Sequence, residues 1–265
     1  MVIAQIGVVD DPLTHTAATR RATRLSEEVF MQMSPLSCRP MALRSALKRG
    51  RAREAFSHAA REEATSGDVL AEVRGLRPNR KGLERVAARL RRRPGVVRVA
   101  LLRGGGIVLV LRGLREVRQA VGAEALFDEA AVVYSRVTVM PERRQLRFGL
   151  VRAGFCQHAV ERLVERSAVP VDRPLLPILD QEAVALFAAL LAGKGFDDRG
   201  DGFVPALQPG VWAGGWDQSA MEEDWGPVAM DGRVPFFSIR TFLGAAEMRP
   251  TVWARWSGAV GLVAR

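Results

Sequence analysis

The stretch FCQHAVERLVERS, residues 155–167, carries a histidine and two arginines at intervals of four: His158, Arg162 and Arg166. A helix beginning near Gln157 turns about 100° per residue, so the three fall within about 80° of one another, with Glu161 and Glu165 alongside. Val160, Leu163 and Val164 fall on the other side. A histidine in a first helical turn sits among unpaired backbone N–H groups and the positive end of the helix dipole, which favour an anion and disfavour imidazolium. Neutral imidazole beside two guanidiniums is equipped to take a proton near a phosphate. The spacing equally suits a solvated face, because His158 with Glu161 and Arg162 with Glu165 are attractive i,i+3 pairs worth about 0.2 to 0.5 kcal/mol each. Arg162 over Arg166 is a like-charge pair, mildly unfavourable unless an anion lies between them.

Strands must deliver this helix. VVRVALL and IVLVLR, separated by RGGG, read as one hairpin, and AVVYSRVTVM and QLRFGLVRAGF around PERR as a second that runs directly into His158. Between them LREVRQAVGAEALFDE reads as a helix. Downstream, QEAVALFAALLAGK is an apolar, buried helix closed by Gly193 and Gly195, PFFSIRTFL is a strand, and TVWARWSGAVGLV is a short terminal helix opened by Pro250. Upstream, residues 41–66 read as helical with a break at Gly50, and NRKGLERVAARLRRR forms a basic helix ending at Pro94-Gly95. The expected organisation is α+β: a basic, mainly helical region over residues 1–93, its first 40 residues a flexible arm, and an α+β domain over 94–265 with an antiparallel sheet and packed helices.

Charge sharpens the functional question. The chain holds 39 basic and 29 acidic residues, net +10, and all the basic ones but Lys48, Lys81 and Lys194 are arginine. Residues 1–166 contain 31 basic and 17 acidic side chains, whereas residues 167–265 contain 8 and 12. Such a one-sided bias is the footprint of a polyanion partner, since clustered cations release counterions from phosphates. Arg77, Arg80, Lys81, Arg85, Arg89, Arg91, Arg92 and Arg93, on and around the basic helix, are the expected nucleic-acid contacts.

Other chemistries fall away. Cys38 and Cys156 form no disulfide framework or zinc-type spacing. Glycines 104–106 lead into a strand where a dinucleotide motif needs a helix, with Leu109 in place of its third glycine. GKG at 193–195 lacks the remainder of a phosphate loop. DDRGD at 197–201 places Arg199 and Gln208 where a calcium loop needs acidic ligands. No metal or cofactor is called for. All five tryptophans lie in the last 54 residues, and GVWAGGWDQ offers Trp212 and Trp216 either as a base-stacking platform or as core packing. No apolar run reaches the roughly 18 residues of a membrane span, and a soluble, cytoplasmic protein is expected.

A strand leading to HAVERLVERS resembles the HAxxRxxxR helix of BrnT-type toxins and their relatives in the RelE-like endoribonuclease superfamily. The resemblance is confined to residues 155–167, with the late strand FFSIRTFL as a weaker second element. It implies a metal-independent endoribonuclease in which His158 takes the 2′-OH proton as that oxygen attacks the adjacent phosphate. Arg162, Arg166 and Arg240, with Ser238 and Thr241 on the same strand, are the further site residues it implies. Alternation along that strand places Ser238 and Arg240 on one face and Thr241 on the other. The alternatives are a nucleic-acid-binding protein without enzymatic activity, or an adaptor for an acidic protein partner; RNA is the favoured nucleic acid.

Overall fold

The computed structural model describes residues 38–64, 66–74, 79–121, 124–142, 145–220 and 233–261. The first 37 residues of the expected N-terminal arm and Arg77 lie outside them; residues 38–40 belong to the first helix. The described residues form six helices and an eight-stranded mixed sheet, an α+β architecture. In chain order these are α1 (Cys38–Arg61), α2 (Ser66–Arg74), α3 (Arg80–Leu90), β1 (Val96–Leu101), β2 (Ile107–Val121), β3 (Glu124–Glu142), β4 (Gln145–Cys156), α4 (Gln157–Arg166), α5 (Leu176–Leu191), β5 (Phe196–Asp198), β6 (Asp201–Pro205), β7 (Gly210–Ala220), β8 (Arg233–Gly244) and α6 (Pro250–Ala259).

The sheet runs β1-β2-β3-β4-β8-β7-β6-β5. Every neighbouring pair is antiparallel except β4 and β8, which meet in parallel through Arg152↔Phe236 to Phe155↔Ile239. The expected antiparallel sheet is therefore mixed. Two meanders are joined at one seam, and the chain between β4 and β8, containing α4 and α5, makes the long crossover that a parallel pair requires.

Helices cover both faces. On one, α1, α4 and α5 enclose the main core with Val132, Tyr134, Phe155, Trp212, Phe237, Ile239 and Phe242. Tyr134, Phe155, Trp212 and Phe242 pack edge to face in a chain with ring centroids 4.9 to 5.6 Å apart, the preferred aromatic geometry. On the opposite face, α2 and α3 lay Val69, Val73, Leu83, Val86 and Leu90 against Ile107, Leu109, Val137 and Val139. At the other end of that face α6 packs Val252 and Trp256 against Phe203 and Val211. The helices before residue 93 thus share cores with the sheet that follows it.

Two local expectations are corrected. Gly50 does not break α1, which continues through it; one exposed glycine costs a helix only about 1 kcal/mol, and Ala52, Ala55, Phe56 and Ala59 on the same helix are buried. Residues 114–121 and 124–129 are not helical. They belong to β2 and β3, which pair without interruption from Ile107↔Val139 to Gln119↔Phe127. Leu114, Glu116, Gln119, Ala125 and Leu126 favour helix locally, but a ladder between two long strands satisfies their backbone instead.

Candidate functional site

The His158 helix forms where expected. Cys156 caps it, its Sγ accepting from Ala159 N at 3.4 Å, and Ala159, Val160, Leu163 and Val164 are fully buried against the sheet. Burial pushes the Cys156 thiol up to about 12, and Sγ donates to the Arg240 carbonyl at 3.6 Å.

The polar side of α4 is internally satisfied. Arg162 Nε donates to His158 Nε2 at 3.3 Å, and Arg162 also pairs with Glu165 at 2.5 Å. Glu165 is held from α1 as well, by Lys48 at 2.6 Å and Ser45 at 3.2 Å. Burial alone would raise the Glu165 carboxyl, but hydrogen bonds and charge from Lys48 and Arg162 outweigh it and bring it down to about 2. Arg166 donates to the Phe242 carbonyl at 2.9 Å and pairs with Glu247 at 2.7 Å. The anions that the two like-charged arginines require are thus carboxylates of the protein itself. Nε2 of His158, the nitrogen that accepts from Arg162, is already engaged.

The late-strand residues do not join this helix. Phe237, Ile239 and Phe242 of β8 face α4, whereas Phe236 and Leu243 point to the other side. A bulge falls at Arg240, where the register passes from Gly214↔Ile239 to Ala213↔Thr241. That extra residue defeats simple alternation: Ser238, opposite Gly215, and Thr241, opposite Ala213, both lie on the face away from α4. Arg240 is exposed, with its guanidinium beside Gly215. The structure therefore brings His158 and Arg162 together, ties Arg166 to β8 and Glu247, and leaves Ser238, Arg240 and Thr241 across the sheet.

Helix α3 is arranged differently. Asn79 caps it by accepting from Gly82 N at 2.7 Å, and Leu83, Val86, Ala87 and Leu90 are buried. Some cations are engaged: Arg80 pairs with Glu84 at 2.9 Å, while Arg89 and Arg93 converge on Glu72 of α2 at 2.7 and 3.0 Å. Hydrogen bonds from Arg93 and then Arg89 lower the Glu72 carboxyl. Arg91 reaches the Val99 carbonyl at 3.4 Å. Lys81, Arg85 and Arg92 are exposed and have no ion-pair partner among the described residues. Helical stepping puts Lys81 and Arg85 within about 40° of one another, opposite the buried side; Arg92 follows in the turn just after the helix.

Sequence reasoning missed the buried polar groups that lock the core. Arg112, 5% exposed, reaches Asp180 at 2.6 Å and Glu62 at 3.0 Å, and Tyr134 donates to the other Asp180 oxygen at 2.7 Å. Fully buried Glu182 accepts from Trp212 Nε1, Leu207 N and Gln208 N at 2.9 to 3.0 Å. Burial pushes its carboxyl above the ordinary range. An acidic residue within the apolar run of α5 is the one sequence signal that marked it. Among the described residues, no cluster of three His, Cys, Asp or Glu could hold a metal, and no helix is long and apolar enough to cross a membrane. Compared with protein families, with curated proteins and with solved structures, the chain matches none.

Proposed function

We propose that the protein binds nucleic acid, RNA in the first place, through the outward face of α3 and the turn that follows it. The observation that carries this reading is the stripe of Lys81, Arg85 and Arg92, exposed and without ion-pair partners among the described residues, while neighbouring arginines are held by Glu72 and Glu84. Holding three like charges on one exposed segment is mildly unfavourable, and phosphates relieve it while releasing counterions. RNA affinity measured across a salt series tests the reading. Replacing the three by alanine is expected to flatten the slope of log K against log salt by about 2, because each single-strand phosphate contact contributes about 0.7. An unchanged slope overturns it, and points instead to an acidic protein partner for the same stripe.

RNA cleavage is the second reading, supported by the exposed His158 held against Arg162. With Arg166 engaged, the chemistry would fall to these two: His158 as base taking the 2′-OH proton, Arg162 as the charge on the phosphorane, and the 5′-oxygen leaving with a proton returned from His158 as the 2′,3′-cyclic phosphate forms. Incubation in EDTA with RNA, and with a strand lacking one 2′-OH, distinguishes the readings. Cleavage confined to the 2′-OH strand and lost in His158→Ala supports catalysis; no cleavage of either strand leaves binding alone.

A further inference from the structure

The C-terminal half of the sheet contains a second candidate site, unrelated to α3 and independent of the reading above. A cleft of about 210 Å³ opens where α5 ends against β5 to β8. Leu190, Val204, Phe237, Trp216 and Asp197 are among its walls. Trp216 is 53% exposed although it packs on fully buried Phe237, ring centroids 5.2 Å apart. Trp212, its partner in the GVWAGGWDQ segment, is fully buried. The floor is Gly202, where a Cβ would stand 3.1 Å from Phe237 and 3.5 Å from Asp197 Oδ1. A bare glycine therefore lets an aromatic edge and a carboxylate converge on one open space. The Asp197 carboxylate is exposed and makes no ion pair among the described residues.

The cleft is smaller than the roughly 300 to 1,000 Å³ pockets that enclose drug-sized ligands, a size that suits a single side chain better than a cofactor. An exposed tryptophan face beside a carboxylate on an apolar floor suits a flat cation. The fold uses the same chemistry next door: Arg255 lies over Phe196, 5.9 Å from the ring centroid, and donates to the Asp197 backbone carbonyl at 2.6 Å. Lys194 and Arg199, in the flanking turns, are exposed but do not line the cleft. Residues 167–265 as a whole carry more acid than base, 12 against 8. A nucleobase could stack on Trp216, but its phosphate would approach Asp197.

We propose that this cleft receives the guanidinium of an arginine side chain presented by a polypeptide partner, with Trp216 stacking on the group and Asp197 accepting its hydrogen bonds. The test uses the full chain labelled with 5-fluorotryptophan and followed by ¹⁹F NMR, the Trp216 resonance being assigned with Trp216→Phe. The probes are a blocked Gly-Arg-Gly peptide, the same peptide with neutral citrulline, and adenosine monophosphate. A saturable shift confined to Trp216 is expected with the arginine peptide, weakened about three- to tenfold by citrulline or by Asp197→Asn. In Asp197→Asn the other tryptophan resonances should stay in place, which separates lost binding from lost folding. Should Asp197→Asn disturb them, Gly202→Val, which fills the floor, replaces it and is expected to weaken binding by at least as much. The proposal is overturned if the arginine peptide gives no saturable shift, if citrulline or the substituted protein binds equally well, or if the nucleotide binds more tightly than the peptide.

Discussion

Helices α3 and α4 are both amphipathic, both rich in arginine, and packed on opposite faces of one sheet, yet their cations meet different ends. On α4, Arg162 and Arg166 are taken up by Glu165, Glu247 and the Phe242 carbonyl, and α1 adds Lys48 to the same network. On α3 and in the turn that follows it, Glu72 and Glu84 absorb Arg80, Arg89 and Arg93 and leave Lys81, Arg85 and Arg92 exposed. The difference follows from cover. Helix α4 is wedged between α1 and β8, where a charge left half buried without a partner would be costly. Among the described residues the outer side of α3 has no such neighbour, so water, or a polyanion, can complete its charges. Arginine spacing alone does not mark a site; the supply of carboxylates around it decides.

Leu163→Ala, at a fully buried position on α4, is expected to lose about 2 to 5 kcal/mol in chemical denaturation. RNA affinity, measured while the variant remains folded, should be unaffected. Arg166→Ala removes the Glu247 pair and leaves a carbonyl without its donor, at about 1 to 3 kcal/mol. A loss of RNA affinity without a loss of stability in that variant would break the contrast between the helices.

Acid should act through α4 in the same sense. The Glu165 carboxyl is held at about 2, below its ordinary value, so its contribution is present above the ordinary carboxylate range and is lost as pH falls towards 2. On the order of 2 to 3 kcal/mol is at stake. The stability difference between the wild type and Glu165→Gln should therefore shrink between about pH 4.5 and pH 2; a difference independent of pH would show that the Lys48 and Arg162 contacts do not stabilise the carboxylate. Smallest of all, His158→Ala should change stability by no more than about 0.5 kcal/mol, since the ring is exposed and makes one long contact.

How far the sequence reveals this arrangement depends on the range of the forces involved. The amphipathic period of α3 and α4, the β-branched runs of β1 to β4 and the strand at β8 are local patterns, and they appear where they were expected. Residues 114–121 and 124–129 are misread because the helix preference of Glu116, Gln119 and Ala125 is local, while the β2–β3 ladder that overrides it is built with the next strand. The partners of α4 are more remote still: Glu247 lies far along the chain from Arg166, and Lys48 far before Glu165. No spacing rule joins them. A one-residue bulge at Arg240 likewise leaves no mark in FFSIRTFL, yet it moves Thr241 onto the face of Ser238, away from α4.

Nucleic-acid contact through the unpaired cations on and just after α3, rather than through the paired ones of α4, is the expectation. It is tested most directly by RNA-binding isotherms over a salt series for two variants in parallel, Lys81→Ala/Arg85→Ala/Arg92→Ala and Arg162→Gln/Arg166→Gln. The expected result is a clear loss of affinity and a slope flattened by about 2 in the first, with the wild-type slope retained in the second. A flattened slope in the α4 variant together with an unchanged one in the α3 variant would contradict it.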